Sequence, residues 1–299
     1  MINRSRRRNG SGGASSDAIN VLLRSFIGRR EFFVSQLART RKRATEKAIH
    51  DLRVSIRRLA AVLDVIKIIV SSSNLTKTRK RLKRLLGALS ELRDVQVQIV
   101  TVRQLAGEFP VLNLFLTLLL VREKQIVRQI HVELRDFHVE QVDPGIIQIE
   151  KDLQTVLADP ALRDAARAMV LGTLAKTFSR TVQLKPAALS GKGNSIHRLR
   201  IAFKRFRYTV EALEAILPNV TGRMKKSMNS YQVRMGNIQD MDVLVSSIRS
   251  HAKKHPRADQ EQFRKLIEQL LNRRRELVLE FLSSVDELSL FWKKIGKVE

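Results

Sequence analysis

Two short segments of the chain repeat one arrangement of a histidine and basic side chains. Residues 49–59 read IHDLRVSIRRL, and residues 196–206 read IHRLRIAFKRF. In both, arginine or lysine follows the histidine after three and seven residues, which places the three side chains on one face of an α-helix. Guanidinium and ammonium groups bind phosphate by charge and hydrogen bonds, and histidine can donate to an anion or exchange a proton. The chemistry open to these residues is therefore anion binding or acid–base catalysis.

Catalysis is the weaker interpretation of these histidines. Neither His50 nor His197 stands at nucleophile-and-base spacing with a serine or aspartate, and the chain has no HExxH, GxxxxGK[ST] or GxGxxG motif. We therefore predict no catalytic residue, no metal and no cofactor. Bound phosphates would favour the charged form of each histidine, so we expect affinity to weaken as pH rises through the histidine range.

The repeat extends beyond the histidines. A shift of 147 residues pairs His50 with His197 and aligns the basic residues that follow, namely Arg53 with Arg200, Arg57 with Lys204, and Arg58 with Arg205. A shift of 146 aligns LSELRDVQV at 89–97 with MGNIQDMDV at 235–243, and with them Asp94 and Asp240. We expect these two acids to orient basic side chains of neighbouring helices rather than to transfer protons.

In helical projection, the basic residues of both copies lie opposite an apolar stripe. In the first copy Arg43 joins His50, Arg53 and Arg57 on the polar side. The next predicted helix of each half repeats the pattern with two further basic faces, formed by Lys77, Lys80, Arg81 and Arg84 and by Arg223, Lys226 and Arg234. Ser227 and Ser230 stand where the first copy has Arg81 and Arg84, so the second half holds less charge there.

The whole composition favours a polyanionic partner. The 299 residues include 56 Lys and Arg against 29 Asp and Glu, a formal charge of +27, which attracts nucleic acid, anionic membranes or phosphate polymers. The absence of cysteine excludes disulfides and thiolate chemistry. We expect a cytoplasmic protein without a membrane span, and we expect residues 1–16, rich in Arg, Gly and Ser, to form a disordered basic arm.

The elements that must position these residues are helices. Leu, Ile and Val recur every three or four residues, whereas strand-like alternation is scarce, which predicts an all-α fold. All six prolines fall where this pattern breaks, and residues 185–195 (KPAALSGKGNS) are predicted to be a loop. The apolar run at 111–121 is too short to cross a bilayer, and we expect it to form a buried helix.

The two motif pairs resemble a known family. HDLRVSIRRL followed by LRDVQV, and HRLRIAFKRFRY followed by IQDMDV, are similar to the motifs of the CHAD family, the conserved histidine α-helical domain. The resemblance covers nearly the whole chain beyond the arm. It implies two pseudo-symmetric four-helix bundles, here residues 17–141 and 145–297, around a central basic channel that binds inorganic polyphosphate.

Carried over by position, the resemblance places two sets of residues along that channel. The first set is His50, Arg53, Arg57 and Arg58, and the second is His197, Arg200, Lys204 and Arg205. Lys77, Lys80, Arg84, Arg223 and Lys226 would extend the channel. The ExExK signature of the triphosphate tunnel domain found beside some CHAD domains is absent from this sequence.

We therefore expect a polyphosphate-binding module that is not an enzyme and that associates with polyphosphate granules. The alternative is a protein that binds single-stranded RNA or DNA, because any surface this basic has some affinity for nucleic acid. Aromatic residues make up 5% of the chain and sit mainly on apolar faces, which provides few platforms for base stacking. A metal-dependent phosphohydrolase is less favoured, since it would need converging carboxylates.

Overall fold

The apolar periodicity of the sequence produces helices along almost the whole described chain. The computed structural model describes residues 18–137, 143–191, 193–217 and 219–295, and these ranges contain no strand. The helices are α1 (Ala18–Lys42), α2 (Glu46–Ile69), α3 (Ser73–Leu105), α4 (Leu112–Asp136), α5 (Asp143–Ala158), α6 (Pro160–Leu189), α7 (Gly193–Leu213), α8 (Gly222–Lys254), α9 (Gln260–Ser283) and α10 (Glu287–Ile295), with a 3₁₀ turn at Glu214–Ile216. The predicted all-α fold is confirmed. The predicted basic arm, residues 1–16, lies outside the described residues.

The packing of the helices follows one succession twice. α1 packs against α2, α2 against α3 and α3 against α4, and the same order recurs from α6 to α9. The two motif helices, α2 and α7, also pack against each other, and α3 contacts α8. This order is consistent with an internal duplication. The division at 17–141 and 145–297 stays a prediction, since α5 packs on α1 and α3 of the first half as well as on α6.

The apolar stripes of the two motif helices form part of the core. On α2 the stripe is fully buried and consists of Leu52, Ile56, Leu59, Leu63 and Ile66. On α7 it consists of Leu199, Phe203, Phe206 and Val210, each with 0% exposure. Because these faces are fixed inside, the opposite faces of α2 and α7 are fixed at the surface or along the seam between the two helices.

Side-chain caps fix where several helices begin. The Thr45 hydroxyl accepts a hydrogen bond from the Ala48 amide at 3.2 Å, just ahead of the first motif. The Asp159 carboxylate accepts from the amides of Ala161 and Leu162 at 2.8 and 3.2 Å, with Pro160 as the first helical residue. Proline suits that position because its missing amide would have no partner there.

Two expectations about individual elements are wrong. The predicted loop at 185–195 is too long at both ends, because α6 continues past Pro186 to Leu189 and α7 already begins at Gly193. A proline this near the helix end removes a single hydrogen bond, to the carbonyl of Val182, whose residue is partly exposed.

The second correction concerns residues 111–121. This run lies on an amphipathic helix with one open face, since Leu114, Leu118 and Val121 are 50%, 46% and 48% exposed. None of the helices in the described ranges combines the length and apolarity that a membrane crossing requires.

Candidate polyanion-binding site

The seam between α2 and α7 brings four basic side chains of the two copies into electrostatic contact. Arg53 and Arg57 come from α2, and Arg200 and Lys204 come from α7. The charges of the three arginines all act on the Lys204 ammonium. We call these four residues the central cluster. The sequence repeat therefore becomes a single site in three dimensions.

Burial and mutual repulsion destabilise the charged forms of the central-cluster side chains. Burial lowers the pKa of Lys204 to about 7, and the charges of Arg57, Arg200 and Arg53 act in the same direction. Burial, followed by the charge of Arg57, lowers the pKa of Arg53 to about 10. Such shifts mean that the folded protein disfavours the charged forms as long as no anion offsets them.

Most basic residues near the cluster are paired, but the cluster itself is not. Arg79 binds Asp64 at 2.8 Å, and Arg207 binds Glu211 at 2.8 Å. Within the described part of the chain, by contrast, the four cluster cations form no ion pair with a carboxylate. The buried Nε atoms of Arg53, Arg57 and Arg200 also have no hydrogen-bond partner there. Unmet donors on buried cations are costly, and an anion with several oxygens would satisfy them.

The two repeated acids lie beside the central cluster. Burial raises the pKa of Asp94, against the lowering effect of Arg53, and burial raises the pKa of Asp240, against Arg200. The charge of Asp94 also raises the pKa of Asp240, which places the two carboxylates near each other. Among the described residues neither acid forms an ion pair, so their expected effect on arginine orientation would act at longer range. No group of three or more His, Cys, Asp or Glu side chains in the described ranges is arranged to hold a metal ion.

One cluster residue lies against α8 at a glycine. A Cβ atom added at Gly236 of α8 would lie 3.7 Å from Nε of Arg200. The guanidinium of Arg200 therefore lies over the backbone of α8, four residues before Asp240.

The two histidines differ in environment. His50 is exposed and precedes Arg53 by one helical turn. His197 is half-buried and precedes Arg200 by one turn, and its Nδ1 atom is buried without a hydrogen-bond partner in the described structure. The second copy therefore holds its histidine closer to the protein interior than the first.

Two predicted residues line cavities next to the cluster. Arg205 lines a cavity of about 480 Å³ together with Arg57 and Lys204. Arg58 instead forms an ion pair with Glu211 at 3.5 Å, and it lines a second cavity of about 790 Å³ together with Lys226.

Other predicted residues lie elsewhere. Arg81 and Arg84 line a cavity of about 800 Å³ between α3 and α4, with Glu91 and Glu133 in its wall. Arg234 donates to Glu287 of α10 at 2.6 Å. The remaining four are exposed, and no contact within the described ranges joins them to the central cluster; they are Arg43, Lys77, Lys80 and Arg223.

The structure adds residues that the sequence reasoning missed. The charge of Arg207 acts on Lys204, the charge of Arg93 acts on Arg53, and Tyr208 lies close to Arg53. A signal for Arg207 was present, because it lies seven residues after Arg200 and so continues the same helical stripe. No helical spacing predicts Arg93 or Tyr208 as neighbours of Arg53, because they reach it from α3 and α7.

Comparison with known proteins agrees with this fold. The sequence model of the CHAD domain family matches residues 30–249 of this chain. A search of curated proteins found no match. The crystal structure of the CHAD domain from the plant Ricinus communis superposes with a TM-score of 0.57 at 15% sequence identity, covering 100% of this chain and 98% of that one. Likeness at this identity shows a common fold, and the match over most of the sequence shows the family. The chain belongs to the CHAD domain family.

Proposed function

We propose that this protein binds inorganic polyphosphate at the central cluster. The observation that supports this best is the convergence of Arg53, Arg57, Arg200 and Lys204 without compensating ion pairs in the described structure. A protein gains nothing in stability from gathering like charges that are buried or half-buried, so a bound polyanion is the simplest source of compensation.

The spacing of the cluster suits a linear phosphate polymer. Side chains three, four and seven residues apart on a helix are separated by roughly 4.5 to 10 Å along its axis. Two such rows, one on α2 and one on α7, present donors on both sides of a flexible chain. Arginine forks hold phosphate oxygens in pairs, and Lys204 adds a point charge.

The environment of the cluster fits a bare phosphate chain better than nucleic acid. Single-stranded nucleic acid is usually held by exposed aromatic rings as well as by charge. The aromatic residues nearest the motif on α7, Phe203 and Phe206, are fully buried, and Tyr231 is buried with them. A duplex would need a wide basic surface, whereas Arg53 is only 7% exposed.

The remaining predicted residues have secondary roles in this proposal. His50 and His197 would add donors at one end of each row, and Asp94 and Asp240 would limit how the neighbouring guanidinium groups move. The protein would act as a binding module and not as an enzyme, in the cytoplasm, where it could associate with polyphosphate granules.

Competition between two polyanions tests the proposal. Labelled long-chain polyphosphate is bound at about 150 mM salt, the ionic strength at which nonspecific attraction is strongly screened. We expect unlabelled polyphosphate to displace it far better than single-stranded RNA of equal charge. Efficient displacement by RNA would favour the nucleic-acid alternative instead, and release of orthophosphate with added Mg²⁺ or Mn²⁺ would show an enzyme.

A further inference from the structure

A second basic cavity lies beside the central cluster, between α1, α2, α7 and α8. Its volume is about 790 Å³, which is within the usual range for small-molecule sites. We call it the α1–α8 cavity. Five cationic side chains and two carboxylates line it; the cations are Arg29, Arg58, Arg207, Lys225 and Lys226, and the acids are Glu211 and Glu214.

Both carboxylates of the cavity form ion pairs with its cations, and the cavity still has more positive than negative charges. Glu211 interacts with Arg207 at 2.8 Å and with Arg58 at 3.5 Å, and Glu214 accepts from Lys225 at 2.8 Å. Arg29 donates to the backbone carbonyl of Glu211, not to its carboxylate. Lys226 is exposed and forms no ion pair among the described residues. The cavity therefore presents uncompensated cations to an anion.

Arg29, which lines this cavity, also has a buried donor without a partner among the described residues. Its Nη1 atom is buried and has no hydrogen-bond partner in the described structure. Burial lowers the pKa of Arg29, and the charge of Arg58 acts in the same direction, against the raising effect of Glu211. A phosphate near Arg29 and Arg58 would offset the repulsion between their charges.

One wall of the cavity carries an exposed aromatic ring. Phe32 lies one turn after Arg29 on α1, lines the cavity and is 44% exposed. Among the described residues, it is the only Phe, Tyr or Trp with that degree of exposure. A ring that is open to solvent beside phosphate-binding cations can stack on a nucleobase.

Two glycines form part of the cavity wall. Gly28 and Gly222 line it, and a Cβ atom added at either would meet nothing within 4 Å. No close packing therefore requires glycine at position 28, although glycine inside a helix costs roughly 1 kcal/mol relative to alanine. A larger side chain at position 28 would therefore occupy part of the cavity.

From these observations we propose that the α1–α8 cavity binds a nucleoside polyphosphate, with its phosphates on Arg29, Arg58 and Lys226 and its base on Phe32. This site is separate from the central cluster, although Arg207 lies between them and its charge reaches Lys204. The ring is what would distinguish this ligand from inorganic polyphosphate.

ATP and inorganic tripolyphosphate are suitable probes, because they share three linked phosphates and differ in the nucleoside. For Phe32→Ala, we expect ATP affinity to fall at least about fivefold, since stacking on one ring is worth roughly 1 to 3 kcal/mol and about 1.4 kcal/mol is a factor of ten. Tripolyphosphate affinity should change by less than about twofold. Equal losses for both probes, or no loss for either, would exclude a base on Phe32.

A filled cavity provides the second test. Gly28→Leu should fold, because nothing lies within 4 Å of the new Cβ and leucine favours helix over glycine. We expect it to lower ATP affinity at least about tenfold while long-chain polyphosphate affinity stays within about twofold. Gly172→Leu on α6 is the matched control, since this helical glycine also has open space and lies outside the cavity.

The failures of the two proposals can be told apart. Unchanged ATP binding in Gly28→Leu, or no ATP binding by the wild type, overturns the nucleotide site alone. Equal loss of ATP and long-chain polyphosphate in Gly28→Leu also overturns it, because the cavity would then be part of the polyphosphate site. Failure of the wild type to bind long-chain polyphosphate overturns the proposed function without affecting the ATP result.

Discussion

At the scale of single residues, Lys204 is the most informative cation of the central cluster. It occupies the position that Arg57 holds in the first copy, but it is the one member of the cluster whose charge changes near neutral pH, since its pKa is lowered to about 7. An arginine in the same surroundings stays protonated. The departure from strict repetition therefore gives one half of the site a proton-dependent charge.

This difference predicts a pH dependence of binding. Phosphates beside Lys204 would raise its pKa, so binding takes up a proton above pH 7, and affinity is greatest when Lys204 is already protonated. Between pH 7.5 and 9, above the range of the histidines, we expect polyphosphate affinity to fall with pH, by at most about tenfold per unit for one proton. The slope is measured by titrations at constant ionic strength.

Lys204→Arg is the control for that slope. It keeps the positive charge and removes the titration, so its affinity should be nearly flat from pH 7.5 to 9. A wild-type slope that survives this substitution would assign the proton to another group.

At the scale of elements, α6 shows how position within a helix sets the cost of a proline. Pro186 and Pro160 belong to the same helix, one in its last turn and one at its first residue. At the first residue, proline replaces an amide that has no partner, whereas near the end it leaves the Val182 carbonyl without a donor.

Substituting each proline separates the two cases. We expect Pro186→Ala to raise the free energy of unfolding by about 1 kcal/mol, which for a chain of this size raises Tm by roughly 2 °C. Pro160→Ala should leave Tm unchanged or slightly lower. Thermal denaturation of the three proteins checks this, and a lower Tm for Pro186→Ala would mean that the ring contributes packing that outweighs the hydrogen bond.

At the scale of the whole molecule, the charge of +27 alone gives attraction to any polyanion. Specific binding differs from this general attraction in that particular cations of the protein contact the phosphates, and those cations can be counted. That number appears in the slope of the logarithm of affinity against the logarithm of salt concentration.

Two double variants with equal charge loss separate these contributions. Arg57→Gln with Lys204→Gln removes two cations from the central cluster, and we expect the slope for polyphosphate to decrease by between about one and two. Arg264→Gln with Lys265→Gln removes two cations of α9 that are already paired with Glu261, and the slope should hardly change. Similar changes in both would indicate that binding follows net charge and not the cluster.

The sequence was enough to predict the all-α fold, the buried faces of the two motif helices and the family. The stripe from Leu52 to Ile66 and its counterpart on α7 lie in the core as their spacing predicts, because burial of apolar side chains depends mainly on helical periodicity. The repeated motifs at His50 and His197 pointed to one family, and the match over residues 30–249 agrees.

Long-range packing sets which basic residues belong together. Arg53, Arg57, Arg200 and Lys204 meet because α2 packs on α7, a contact between segments almost 150 residues apart that periodicity cannot specify. Arg81 and Arg84 lie about one helical turn apart, as the cluster residues of each helix do, yet they face α4, and Arg234 is held by Glu287. A charge pattern predicts the face of a helix on which a cation lies, but long-range packing sets which residues lie across that face. The same packing desolvates Lys204 and so lowers its pKa.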